Sequence, residues 1–60
     1  MKVSIPVVKR SDSETHEFAV EVDKEEKAVT FYLDGEVLFD AFVEEVKQLA
    51  ETLLSLMEGE

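Results

Sequence analysis

Apolar and polar side chains alternate with a period of two over three stretches of the chain. In the first, KVSIPVVKR, Val3, Ile5 and Val7 alternate with Lys2, Ser4 and Pro6, the pattern of a strand with one face turned to a core. Pro6 has no N–H to give to a neighbour, which places this strand at a sheet edge. The polar stretch SDSE predicts a turn. In THEFAVEVD, Phe18, Val20 and Val22 fall on one side and Glu17, Ala19 and Glu21 on the other. After the charged DKEEK, Val29, Phe31 and Leu33 alternate with Ala28, Thr30 and Tyr32, so a hairpin joins the second and third strands. Asp34 and Gly35 close the third strand, because glycine tolerates the positive φ of a sharp turn.

From there the spacing reads as helical. Phe39, Phe42, Val46, Leu49, Leu53 and Leu56 are three and four residues apart, with Val43, Ala50 and Met57 beside them and Glu44, Glu51 and Glu58 on the opposite stripe. The helix is expected to start near Glu36 or at an Asp40 cap and to end at Gly59. The fold predicted is α+β: a three-stranded antiparallel sheet (β-β-β) followed by one long C-terminal amphipathic helix packed on one sheet face, two layers forming a single domain over residues 1–60. Its expected core is Val3, Ile5, Val7, Phe18, Val20, Val22, Val29, Phe31 and Leu33 against Phe42, Val46, Leu49 and Leu53.

A helix of about 20 residues is ~30 Å long and a seven-residue strand ~23 Å, so the helix overhangs. Leu38, Phe39, Leu54, Leu56 and Met57 exceed what three short strands cover and are predicted to lie between two copies. Size points the same way. For 60 residues, apolar burial and the ordering of the chain each amount to about 90 kcal/mol, leaving a monomer near balance. No cysteine is present for a disulfide and one histidine cannot anchor a structural metal. Association is the remaining means of stabilisation. The expectation is a homodimer joined by helix contacts, since Pro6 blunts the first strand as an edge.

Charge narrows the choice of partner. The net charge is −9, and because Lys2, Lys9 and Arg10 give the first ten residues +3, the other fifty carry −12. Such a field repels nucleic acid and anionic membranes and favours basic partners. No apolar run approaches a membrane span, and Met1 leads into strand-like sequence with no signal peptide between, so a cytoplasmic protein is expected.

Candidate chemistry is sparse. Ser11, Asp12, Ser13, Glu14 and His16 contain the residue types of a nucleophilic triad, but crowded into one polar connection they read as a solvated loop. Asp12, Glu14 and His16 share parity without the spacing of a ligand loop, so no metal or other cofactor is expected. Gly35 and Gly59 make no phosphate-binding loop. No catalytic residue is assigned.

What remains is surface. Glu17, Glu21 and Tyr32 belong to the outer sheet face, and with the DKEEK hairpin and the helix stripe they imitate the charge of a phosphate backbone. In size and charge alone the chain is similar to small acidic inhibitors carried by phages and mobile elements, a likeness that carries no residue across. The reading is a non-enzymatic acidic interaction module, a homodimer that binds and inhibits a basic protein surface such as that of a nucleic-acid-binding protein. The alternative is a small-ligand binder with its pocket at the dimer interface around Tyr32 and His16. The expected interaction residues are Glu17, Glu21, Tyr32, Leu38, Phe39, Leu54, Leu56 and Met57.

Overall fold

Where the alternation predicts strands, the computed structural model, which describes residues 1–59, has them: β1 (Lys2–Val8), β2 (Thr15–Asp23) and β3 (Ala28–Leu33). A fourth strand, β4 (Glu36–Phe42), follows, and then one helix, α1 (Val43–Glu58). The sheet is an antiparallel meander in the order β1-β2-β3-β4. The fold is therefore α+β with an antiparallel sheet and one C-terminal helix, but with four strands in place of the three expected.

The correction concerns residues 36–42. The Asp34–Gly35 pair does more than end a strand: both residues have positive φ, 52° and 86°, which closes a two-residue hairpin of the primed kind and returns the chain alongside β3. Strict alternation fails in β4 because Leu38 and Phe39 are adjacent apolar residues. Phe39 stands opposite Phe31 and Val37 opposite Tyr32, with the register shifting between those pairs. Leu38 is the extra residue that this bulge absorbs. Asp40 is consequently a strand residue opposite Thr30 and caps nothing. The helix starts after Phe42, an extended residue with no side-chain cap, and Glu44 and Glu45 in its first turn suit the positive end of the helix dipole. At the other end Gly59 is the C-cap.

The remaining connections follow from local side-chain bonds. Asp23 Oδ1 accepts from the backbone N–H groups of Glu25 and Glu26 at 3.0 and 3.2 Å, and Lys27 takes φ 55° to enter β3. Between β1 and β2, Asp12 Oδ1 accepts from Glu14 N–H at 2.9 Å and Ser13 takes φ 60°. Asp and Ser are suited to such turns because their short side chains reach the backbone two residues on.

Register divides the sheet into two unlike faces. Val3, Val20, Phe31 and Phe39 form one cross-strand row; Ile5, Phe18 and Leu33 form the next; Val22, Val29 and Ala41 form a third. All nine sheet residues expected in the core share this face. Opposite, by the same pairings, lie Lys2, Ser4, Pro6, Glu17, Ala19, Glu21, Ala28, Thr30, Tyr32 and Asp40, together with the exposed apolar residues Val37 and Phe42 of β4.

The expected core, however, is not closed within one chain. Ala19 and Val29 are the buried hydrophobic residues, while Val3, Ile5 and Phe39 are about half exposed. The helix packs against β3 and β4 through its first turn, where Val43 and Val46 are half-buried, and every residue from Lys47 to Gly59 is exposed. Of the helix-side residues expected to face the sheet, Leu49 and Leu53 are exposed, and Phe42 is a strand residue, also exposed. The physical reason is the junction. β4 passes into α1 with no residue between Phe42 and Val43, whereas the usual strand-to-helix connection has two to six residues in which to reverse direction. The outcome is an open shape. The Cα radius of gyration is 12.9 Å, where a compact chain of this length has about 10.4 Å.

Candidate interaction surface

Three surfaces carry the residues singled out from the sequence. On the polar sheet face, Tyr32 projects beside Ala19 and donates its hydroxyl to Glu21 Oε1. The Lys2 ammonium sits 4.3 Å from the centre of the Tyr32 ring, a cation–π contact. The Glu21 carboxylate, as acceptor, favours the protonated phenol and raises the Tyr32 pKa above its ordinary 10.0, with desolvation acting in the same direction. Glu17 lies on this face opposite Pro6, and Asp40 opposite Thr30. The structure thus joins Glu21 to Tyr32 directly and leaves Glu17 and Asp40 as exposed carboxylates. Among the described residues, the one ion pair made by a glutamate is Glu44 with Lys47, at 3.7 Å on the exposed helix.

The second surface is the apolar sheet face. Phe39 stacks on Phe31 with centroids 4.9 Å apart at 28°, and Phe31 lies 6.0 Å from Phe18 at 32°. Leu38 and Phe39, expected at a helix start, stand on β4 instead, and both are exposed. The charges at its margin, His16, Asp34 and Glu36, collect at the end of the sheet that holds the β1–β2 loop and the β3–β4 turn. The third surface is the apolar side of α1, where Leu49, Leu53, Leu56 and Met57 are all exposed, while Leu54, one turn before Glu58, is exposed on the charged side.

His16 has a role that the loop reading did not contain. Its Nε2 lies 2.8 Å from Asp12 Oδ2, and its Nδ1 bonds Asp34 Oδ2. Asp34 Oδ1 in turn accepts from the Glu17 N–H at 3.0 Å. The imidazole therefore clamps the β1–β2 loop to the β3–β4 turn. The Asp34 and Asp12 hydrogen bonds favour the imidazolium and raise its pKa above 6.5. Reciprocally, His16 and then the Glu17 N–H lower Asp34, and the Glu14 N–H and then His16 lower Asp12. With both nitrogens committed to carboxylates, no serine hydroxyl of the loop is bonded to the ring, and the triad types are not arranged as one. Asp12, Glu14 and His16 bring ligand atoms within 4.8 Å of one another. Metal ligation needs a neutral imidazole with a free lone pair, and here each nitrogen already faces a carboxylate, which suits an ionic clamp.

Tyr32 and His16, paired in the alternative ligand-pocket reading, belong to opposite sheet faces, since Ala19, three residues from His16, is the partner of Tyr32. A shallow depression beside His16 is lined by Ile5, Pro6, Thr15 and Asp34. Among the described residues, no helix is long and apolar enough to cross a membrane.

Sequence reasoning missed Asp34 as the partner of His16, 18 residues away. The available signal was the Asp-Gly dipeptide, which predicts a hairpin and so returns Asp34 to the sheet end where His16 starts β2. Compared with protein-family models, characterised proteins and solved structures, the chain matches none.

Proposed function

We propose that the protein is a non-enzymatic acidic interaction module, a homodimer that occupies and blocks a basic surface on another protein, of the kind nucleic-acid-binding proteins present. The observation that carries the reading is the division of the sheet into unlike faces. One is apolar across three rows of side chains and open to solvent at Val3, Ile5 and Phe39; the other bears Glu17, Glu21 and Asp40 around a single tyrosine. Exposed apolar surface of this extent marks an association site, which a second copy fills. The polar face is then left for a different partner, and with a net charge of −9 the complementary partner is cationic.

The test is capture from an extract of the native host with tagged wild type and with a Glu17→Lys/Glu21→Lys/Asp40→Lys variant. The wild type is expected to retain a basic protein that elutes as salt rises from about 0.1 M, where the screening length is ~10 Å, and that the variant does not retain. A bound protein that is indifferent both to salt and to reversal of these charges refutes the reading.

A further inference from the structure

The two uncovered apolar surfaces of this chain fit each other, and the way β4 joins α1 keeps them apart within one molecule. We infer that two copies exchange helices: the α1 of each lies across the apolar sheet face of the other, about a two-fold axis. This rests on the dimeric part of the proposed function and adds its architecture.

Four observations support it. The accessible surface of the single chain is 5149 Å², whereas a folded protein of 6.8 kDa exposes about 4,000 Å². The excess, about 1,150 Å², exceeds the ~800 Å² that each partner hides in a standard interface, so a second copy of the same chain supplies enough cover. The dimensions also agree. The 16 residues of α1 span about 24 Å, and the seven residues of β1 or β4 about 23 Å, so one helix crosses the sheet from end to end. The third observation is the direct passage from Phe42 to Val43, which leaves no turn for α1 to fold back over its own β4. A helix from another copy faces no such restriction.

Charge supplies the fourth. Two molecules of −9 repel at long range, so their contact must avoid carboxylates. The row Val3–Val20–Phe31–Phe39 contains none, the row Ile5–Phe18–Leu33 meets one only at its β4 end, Glu36, and on α1 Glu44, Glu51 and Glu58 lie opposite the stripe of Leu49, Leu53 and Leu56. Laid stripe-down, the helix turns Glu44, Glu51 and Glu58 outward, and Glu45, one turn before Leu49, stays at the N-terminal end of the contact. The contact is isologous, each sheet receiving the other's helix, which closes the assembly at two chains. Phe18 and Phe31 of one copy with Leu49 and Leu53 of the other make the core that a single chain lacks.

The experiment uses unmodified protein, co-refolded from equal parts of uniformly ¹³C-labelled and unlabelled chain. Light scattering gives the mass, and an isotope-filtered NOESY spectrum records only contacts between copies. The expected result is a mass twice 6.8 kDa together with intermolecular contacts from the Leu49 and Leu53 methyls to the Phe18 and Phe31 rings. A dimer whose intermolecular contacts run helix to helix or sheet to sheet, without helix to sheet, overturns helix exchange and leaves the dimer standing. A compact monomer overturns both, and so does an open-ended oligomer.

Discussion

Phe31 is the side chain on which the packing argument can be tested most sharply. It stands in the middle of the apolar face, between Val20 and Phe39 in the ladder, and its ring meets those of Phe39 at 4.9 Å and Phe18 at 6.0 Å. Replacing it with alanine removes most of the 150–250 Å² that a phenylalanine buries when fully covered. Within one chain the residue is half-buried, so roughly 100 Å² is lost, about 2.5 kcal/mol at ~25 cal/mol/Å². The two aromatic contacts contribute about 0.5–1.5 kcal/mol each beyond area, which brings the cost to about 4 kcal/mol. Cover by a second copy raises it toward the ~5 kcal/mol upper end for buried phenylalanine. In a domain of 60 residues each kcal/mol shifts the melting temperature by about 4–8 °C, so Phe31→Ala is expected to melt at least 15 °C below wild type or not to fold. The assay is a far-UV circular dichroism melt of both proteins at equal micromolar concentration. A variant that melts within about 3 °C of wild type removes Phe31 from the core and breaks the register, because a slip of one residue exchanges the two faces.

Three further outcomes are expected. Phe39→Glu, which places a charge in the central apolar row, should convert the dimer into monomer by light scattering while Glu51→Lys on the outward stripe leaves it intact; the reverse result refutes the placement of the interface. Gly35→Ala meets nothing within 4 Å but must hold φ +86°, so its cost is backbone alone, about 1–2 kcal/mol, seen as a melting temperature lower by roughly 5–10 °C; no change would mean that the turn does not need a left-handed residue there. For the His16 clamp, the folded pKa lies above 6.5, so its stabilisation is complete below that value and disappears as pH rises through the raised one. Asp12 and Asp34 have folded values below 3.8, so their share is present above that pH and is lost on acidification. Wild type should therefore lose stability as pH rises above about 6.5, and His16→Ala should lack that slope; equal slopes in the two proteins would show that the clamp does not form.

The first three strands and their faces were legible because strand periodicity is local: Val3, Ile5 and Val7, or Phe18, Val20 and Val22, reveal their common side by spacing alone. The acidic excess and the amphipathic stripe of α1 were equally plain. The same local logic failed at residues 36–42. A bulge lets the adjacent Leu38 and Phe39 occupy a strand without alternation, and their spacing to Phe42 and Val46 imitates a helical turn. The Asp34–Gly35 dipeptide held the contrary signal, which the apolar spacing outweighed.

Other features depended on which distant segments meet, and no window of sequence contains that. His16 acquires its partner 18 residues away only when the β3–β4 turn closes beside the β1–β2 loop, and Lys2 comes to lie over Tyr32 only through the pairing of β1 and β3 with β2. Hydrophobic pattern specifies that a face must be covered, because apolar area favours any dry contact without direction. It does not specify what covers it. Here β4 passes from Phe42 into Val43 without a turn, and every helix residue from Lys47 to Gly59 is left exposed, an outcome that exists only in three dimensions.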